Sequence, residues 1–357
     1  MSKKGKVLVA MSGGIDSSIA AVLLKDMGYE VIGATVKTWD YERSGISNKG
    51  TCCSIQDIND AKLLAIKFGL KHYVIDLRSD FENTVIDNFT NEYLKGRTPN
   101  PCIVCNNKIK WGSLIDLADK INCEFIATGH YAKIRYNQER YVISKGNDDS
   151  KDQSYVLWGL KQNELKRTLF PLGNYFKKEI KQIANDLHLT KLANKKESFE
   201  ICFIPNNNYR TFLQHKTNTT IEQGKFISED NKVIGTHQGY PFYTIGQRKG
   251  LNIAVGEARY VKAINPLENT IVLSSKDSLK TMEATATNIN LIKYNKLDSA
   301  INAITKIRYR DTGTQSVIKQ NDDNIHINFK NYVYAVAPGQ SAVFYEGDDL
   351  IGGGIFI

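Results

Sequence analysis

The chain of 357 residues is longer than one ordinary domain, and two or three are expected. Its 41% hydrophobic content supports a real core, yet no window approaches about eighteen consecutive apolar residues, which argues against a membrane-spanning helix. A net charge of +9 suits a polyanionic partner without requiring one.

Met1-Ser2-Lys3-Lys4-Gly5 turns at once into Val7-Leu8-Val9-Ala10. That run is too short for a secretory signal, and no Arg-rich presequence accompanies it, so a cytoplasmic location is expected. Lys6 to Ala10 reads as a short buried strand, Ser17 to Met27 as a helix closed by Gly28, and Glu30 to Val36 as a second strand. Asp57 to Phe68 is a helix, His72 to Leu77 a strand, Ser113 to Ile121 a helix, and Phe125 to Thr128 a strand entering Gly129-His130. This alternation predicts an α/β fold with a Rossmann-like parallel sheet, whose ligands bind at the carboxyl ends of the strands. Tyr175 to Leu187 is a basic amphipathic helix carrying Lys177, Lys178 and Lys181.

Asn206-Asn207-Asn208 reads as a boundary loop, and from Lys225 the chain turns to strands with Gly- and Pro-containing connections. Beyond 278 come short runs at 284–291, 303–310, 315–319, 324–329, 332–337 and 341–345, the spacing of a small antiparallel β-barrel. The expected domains are 1–205, a small mixed central domain at 206–277, and a barrel at 278–357.

Ser12-Gly13-Gly14-Ile15-Asp16-Ser17-Ser18 lies between the first strand and the first helix. Glycines there let backbone amides turn toward phosphate oxygens, and the helix N-terminus adds partial positive charge. The lysine that follows a Walker loop is missing, and the glycine spacing is not that of a dinucleotide fingerprint. The plain alternative is a capped strand-to-helix turn. Ser-Gly-Gly-x-Asp-Ser is similar to the PP-loop of the ATP pyrophosphatases, which cleave ATP between its α- and β-phosphates.

Six cysteines stand at 52, 53, 102, 105, 123 and 202. Structural disulfides are not expected in a cytosolic chain of this size. Cys105 and Cys202 read as buried apolar fillers or as reactive thiols. Cys102-x-x-Cys105 also fits half of a zinc site or a redox pair, but zinc needs two further ligands, and adjacent Cys52-Cys53 suit that poorly.

Several motifs together carry a more specific resemblance. The loop, Thr98-Pro99-Asn100-Pro101 with Cys105-Asn106, Thr128-Gly129-His130-Tyr131, Lys151-Asp152-Gln153-Ser154-Tyr155, Ile201-Cys202-Phe203-Ile204, Gly246-Gln247-Arg248-Lys249-Gly250 and Pro338-Gly339-Gln340-Ser341-Ala342 occur in this order. Over nearly its whole length the chain resembles the tRNA-specific 2-thiouridylases, which place sulfur at C2 of a wobble uridine. The resemblance implies Cys202 as persulfide carrier and Cys105 as its partner and nucleophile, with a transient disulfide between them. It implies ATP contacts at Ala10, Met11, Ser12, Gly13, Gly14, Ile15, Asp16, Ser17, Val36 and Gly129, with Mg²⁺ on the ATP phosphates and no resident metal or organic cofactor. Asn100, Pro101 and Cys102 would meet the target base. Lys151, Asp152, Gln153, His130, Arg308, Tyr309 and Gln340 would touch tRNA, with Arg308-Tyr309-Arg310 on a barrel strand. Many members have Asp where Cys102 stands and Met where Val36 aligns.

The chemistry fits these parts. A uridine carbonyl oxygen leaves poorly until AMP is attached to it. A persulfide on Cys202 then attacks C2, or Cys105 releases hydrosulfide from it; the sequence does not choose. A single-stranded anticodon loop can splay its base into a pocket, and a separate protein must supply the sulfur. The aromatic–cation stretch 239–249 reads equally as RNA surface or as domain core with a solvated face. Two other readings compete: an adenylating enzyme with a small-molecule acceptor, and a non-catalytic RNA-binding or zinc-dependent interaction protein.

Overall fold

The computed structural model describes residues 4–39, 55–137, 139–195, 201–204, 208–217, 220–253 and 256–357. They pack as two units, one of Met1–Val85, Cys102–Asn207 and Asp348–Leu350, the other of Ile86–Pro101, Asn208–Gly347 and Ile351–Ile357. Cys52, Cys53 and most of the expected boundary loop, Asn206-Asn207, lie outside the described residues.

The first unit is built on β1 (Lys6–Ala10), β2 (Glu30–Lys37), β3 (Lys71–Asp76), β4 (Phe125–Ala127), a hairpin of β5 (Ala132–Asn137) and β6 (Arg140–Lys145), and β7 (Thr168–Leu169). Five strands form one sheet in the order β3-β2-β1-β4-β7, every pairing parallel. Val7, Leu8 and Val9 are fully buried, as a central parallel strand covered on both faces requires. Helix α1 (Ile15–Asp26) covers β1, burying Ile19, Ala20, Ala21 and Leu24. Because β1 pairs with β2 on one side and β4 on the other, the connections leaving β1 and β4 part at the carboxyl edge of the sheet. That is where an open α/β sheet binds ligands.

The helix expected at 113–121 begins much earlier. Pro101 opens one α-turn, Pro101–Val104, then Cys105–Ser113 winds as a wide π-type helix, and Leu114–Lys120 completes the run. Proline suits the first helical position, where no amide hydrogen is needed. Asn106, Asn107 and Gly112 are weak helix formers that hide the run from periodicity, while Ile103, Ile109 and Trp111 bury its inner face.

The second unit holds β8 (Gly224–Ser228), β9 (Val233–His237), β10 (Tyr260–Asn265) and β11 (Thr270–Ser274) in a mixed sheet, order β10-β11-β8-β9. Six further strands follow: β12 (Lys280–Leu291), β13 (Ile301–Lys306), β14 (Thr314–Asn321), β15 (Asn324–Tyr334), β16 (Ser341–Glu346) and β17 (Asp349–Phe356). They run β12-β15-β14-β13-β16-β17, and β17 returns to β12, closing the expected antiparallel barrel. Its interior is Ile318, Ile325, Ile327, Phe329, Phe344, Ile351 and Phe356 with their neighbours.

Two strand expectations need correction. Arg308-Tyr309-Arg310 is not on a strand: β13 stops at Lys306, and Asp311 holds a turn by accepting the Ile307 amide at 3.0 Å while its own amide donates to Arg308. The runs at 324–329 and 332–337 are largely one strand, β15, interrupted by a bulge.

β17 escaped notice because Gly352-Gly353-Gly354 reads as a loop. These glycines let it approach β12 closely: a Cβ on Gly352 would sit 2.2 Å from the Asn290 carbonyl oxygen. Gly352→Ala is expected to destabilise the barrel by about 1–3 kcal/mol, the range for forcing atoms into a packed site. Denaturant unfolding of the whole chain measures it.

Candidate nucleotide site and its cysteines

The Ser12–Ser18 loop leaves β1 at the sheet's carboxyl edge. Gly13 takes φ +70°, and a side chain there would strike the Asp57 carbonyl at 2.2 Å. Ser17 fixes the turn: its hydroxyl donates to the Gly14 carbonyl at 3.2 Å and accepts the Ser12 amide at 3.0 Å. Gly14 caps α1 and has no side chain to satisfy the first-turn amides, so they point at whatever anion enters. Across from it, β4 ends in Thr128-Gly129-His130. A Cβ on Gly129 would lie 2.6 Å from the Ser17 amide nitrogen, so the two connections touch only because residue 129 is glycine.

Asp16 is not left to face phosphate alone. Lys177 donates to both its oxygens at 2.7 and 2.8 Å, and the Tyr131 hydroxyl donates to one at 2.8 Å. The lysine also stands 5.8 Å above the Tyr131 ring. Lys177, expected on a basic helix face, is instead buried. Lys195 makes a second brace, donating to the Gly13 carbonyl at 2.9 Å, Asp57 at 2.6 Å and Asp60 at 2.7 Å. Burial opposes the charges of this brace, but the hydrogen bonds prevail: Lys195 is held above its usual pKa and Asp60 below its own. Neither brace was visible in the sequence, for its partners lie far apart along the chain.

Beside the loop, Met11 is buried and Val36 half-buried at the end of β2. Thr35 spends its single hydrogen on the Met11 carbonyl, 2.7 Å away, so His72 must donate to Thr35 from Nε2 at 2.9 Å. Burial, with Lys62 nearby, pushes the His72 pKa down, in keeping with a neutral ring.

His130 is buried, bonded through Nδ1 to the Thr128 hydroxyl at 2.7 Å, and packed near Trp111 and Phe170. Burial, reinforced by Lys110, drives its pKa well below the normal value, in keeping with a neutral ring. Gln153 exchanges two hydrogen bonds with the Tyr131 backbone, and Asp152 accepts from Gly146 and Ser154. Those two side chains shape their turn, while Lys151 is half-buried.

Both expected catalytic thiols lie in the first unit. Cys105 opens the π-type segment, and Asn106 beside it is buried and donates to the Val156 carbonyl at 2.8 Å. Such wide turns are frequent at functional sites. Cys202 occupies a turn anchored by buried Phe203 and Ile204. The Phe203 ring meets Phe81 edge-on at 5.6 Å, and the short Arg78–Phe81 helix also packs on the Cys105–Ser113 segment. The two cysteine segments therefore share a neighbour. Cys105 and Cys202 are half-buried, Cys102 is exposed, and Cys123 is buried with its thiol pKa raised by burial. Among the described residues no group of three or more His, Cys, Asp or Glu is arranged for a metal ion.

In the second unit, Gln340 donates to the Thr98 carbonyl at 2.9 Å and, more weakly, to Pro99 at 3.4 Å. The Thr98 amide donates to Pro338 at 2.8 Å. Gln340 thus clasps the segment leading into Asn100-Pro101, and Arg308 and Tyr309 stand exposed in their turn.

The family model described as tRNA methyl transferase HUP domain matches residues 5–206; its companions, a PRC-barrel domain and an aminomethyltransferase β-barrel domain, match 210–275 and 281–356. The tRNA-specific 2-thiouridylase MnmA of Amoebophilus asiaticus is 52% identical over 99% of this chain and 95% of its own length. The chain belongs to the tRNA-specific 2-thiouridylase family. The Cytophaga hutchinsonii member is likewise 52% identical, over 99% and 98%, and the Salinibacter ruber member 51%, over 99% and 94%. Among solved structures, a 4-thiouridine synthetase–RNA complex with bound ATP overlaps 59% of this chain and 50% of its own, at 16% identity and TM-score 0.37. No helix among the described residues is long and apolar enough to cross a membrane.

Lys177→Met leaves the Asp16 carboxylate uncompensated beside the phosphate-facing amides. It is expected to cost about 2–4 kcal/mol of stability, toward the low side of breaking a buried pair because Asp16 is a third exposed. ATP affinity should fall at least roughly tenfold, by the repulsion between like charges. Lys177→Arg should recover part of both; melting curves and ATP titration read the two effects.

Proposed function

We propose that this chain uses ATP to adenylate the C2 oxygen of the wobble uridine, position 34, of tRNA and then replaces that oxygen with sulfur from a cysteine persulfide. The family supports the tRNA substrate. The observation that carries the chemistry is a phosphate-shaped loop in the same unit as two half-buried thiols whose segments pack on one helix.

In this reading, the amides at the start of α1, with Ser12 and Ser17, hold the ATP phosphates, and Ala10, Met11, Ile15, Val36 and Gly129 frame the nucleotide. Mg²⁺ would accompany the ATP phosphates and offset their charge. The uridine O2 attacks the α-phosphorus, expelling pyrophosphate. The terminal sulfur of the Cys202 persulfide attacks C2, AMP leaves with the former carbonyl oxygen, and the Cys105 thiolate attacks the inner sulfur. This yields 2-thiouridine and a Cys105–Cys202 disulfide, which a thiol reductant must reopen. In the other route, Cys105 attacks first and frees hydrosulfide, which adds to C2. Both routes balance, and both need the two thiols.

Asn100, Pro101 and Cys102 receive the base, and Lys151, Asp152, Gln153, Arg308, Tyr309 and Gln340 belong to the tRNA surface, while buried His130 acts from beneath by fixing the turn after β4. Asp152, Gln153 and Gln340 act there by holding backbone in place. A separate persulfide-bearing protein loads Cys202, and the work is cytoplasmic. The division of labour follows 1–205 for adenylation, 206–277 for tRNA binding and 278–357 for the barrel.

Cys105→Ser and Cys202→Ser are each expected to lower 2-thiouridine formation at least roughly a thousandfold, as loss of a covalent participant does. Both should still bind ATP and tRNA. Cys102→Ser should keep most activity. Nucleoside mass spectrometry after single turnover measures all three, and normal thiolation by the Cys202→Ser protein would remove the sulfur-carrier role.

A further inference from the structure

The barrel and the turn beside it carry an aromatic and basic surface whose residues the reading above leaves without individual roles. β15 alternates regularly through Ile325, Ile327 and Phe329, all buried, and then exposes Lys330, Asn331 and Tyr332 in succession before Val333 turns inward. The register explains this: Thr281 of β12 pairs with Val333 and Glu283 with Asn328, so Met282 alone stands opposite the four residues 329–332. The strand bulges outward, and Tyr332 stands 61% exposed on the bulge. An aromatic ring pushed into water by a bulge is not serving the barrel core.

Lysines gather around it. Lys280 Nζ lies 5.8 Å from the Tyr332 ring centre and 6.0 Å from that of Tyr334, and Lys276 Nζ lies 5.1 Å from Tyr334. The next residue, Ala335, takes φ +58° and abuts Gly246 so closely that a Cβ on Gly246 would come within 2.5 Å of its methyl. The exposed pair Arg248-Lys249 therefore adjoins this surface, on a turn pinned by the Gln247 side chain to Thr244 and Lys249. Three carboxylates dilute the patch: Asp277, bonded to Lys280 at 2.6 Å, Glu229, which accepts from the Ser278 hydroxyl at 3.0 Å and is paired with Lys262, and exposed Glu283. Five cations (Arg248, Lys249, Lys276, Lys280 and Lys330) outnumber them.

The register also sets the location. Thr305 pairs with Thr314, and Ser316 with Phe329, so the bulge and the Arg308–Arg310 turn project from the same end of the barrel.

We propose that the Lys330–Tyr334 bulge, with Lys276, Lys280 and the Arg248–Lys249 turn, is an RNA-contact surface that tracks a run of tRNA phosphates and stacks an unpaired base or ribose on Tyr332. It rests on the reading of this chain as a tRNA enzyme and extends the contact beyond Arg308 and Tyr309. Lysines tracking a backbone beside an exposed ring form the combination that binds nucleic acid without reading its sequence.

Binding of a tRNA transcript to the whole protein, followed by anisotropy at several salt concentrations, tests this. Tyr332→Ala should weaken binding about fivefold or more, by loss of one stacked base. The Lys276→Ala/Lys280→Ala double variant should reduce the slope of log affinity against log salt by about 2. Lys319→Ala, exposed on β14, should leave both unchanged. Should Tyr332→Ala fail to fold, the lysine pair still decides. Affinity and salt slope equal to wild type in both variants overturn the proposal. So does unchanged tRNA binding with impaired sulfur uptake from a persulfide-bearing protein, which would assign the surface to that partner. A wild-type protein that binds no tRNA would instead overturn the reading on which the proposal rests.

Discussion

A carboxylate at the mouth of a phosphate loop is an electrostatic difficulty, and the first unit is organised around its resolution. Asp16 sits in the first turn of α1, where a helix favours negative charge but a polyphosphate would be repelled. Lys177 and Tyr131 neutralise and fix it. Because Tyr131 follows directly on Thr128-Gly129-His130, the same contact ties the connection after β4 to the loop after β1. The close approach of Gly129 to Ser17 reinforces that tie through backbone alone. With both connections held, the amides of α1 keep a fixed aim, which is what preorganised binding of a charged group demands.

The remaining polar residues near the site act mostly on backbone. Thr35 holds the Met11 carbonyl, Lys195 the Gly13 carbonyl, Gln153 the Tyr131 backbone, and Gln340 the Thr98 carbonyl. Such side chains need not touch a substrate to matter. Each fixes a piece of chain next to residues assigned to ATP or tRNA, and each would look like a contact residue if judged by its position in a motif.

The sequence made the parallel sheet, the phosphate loop and the barrel legible because each has a local signature: a buried apolar run, glycines between strand and helix, short alternating strands. It could not show the braces, since Lys177 and Asp16 are 161 residues apart. It concealed the helix through Cys105 behind two asparagines and a glycine, and the last barrel strand behind three glycines. Arg308-Tyr309-Arg310 looked like strand because alternation continues past Lys306; only the Asp311 carboxylate, bonding back to Ile307, ends it. The gap between the runs at 324–329 and 332–337 was itself a signal, marking the bulge that exposes Tyr332.

Residues 86–101 fall within the first half of the chain yet pack in the second unit. Phe89 meets Phe212 edge-on, Tyr93 stacks on Tyr209 at 5.1 Å, and Arg97 donates to the Phe356 carbonyl. The two units are thus not modular in the genetic sense. A fragment cut at the apparent linker near 206 would carry away this stretch but none of those partners, baring a row of aromatic rings to water. A domain exchanged from a relative would have to bring side chains that fit Phe89, Tyr93 and Arg97 equally well.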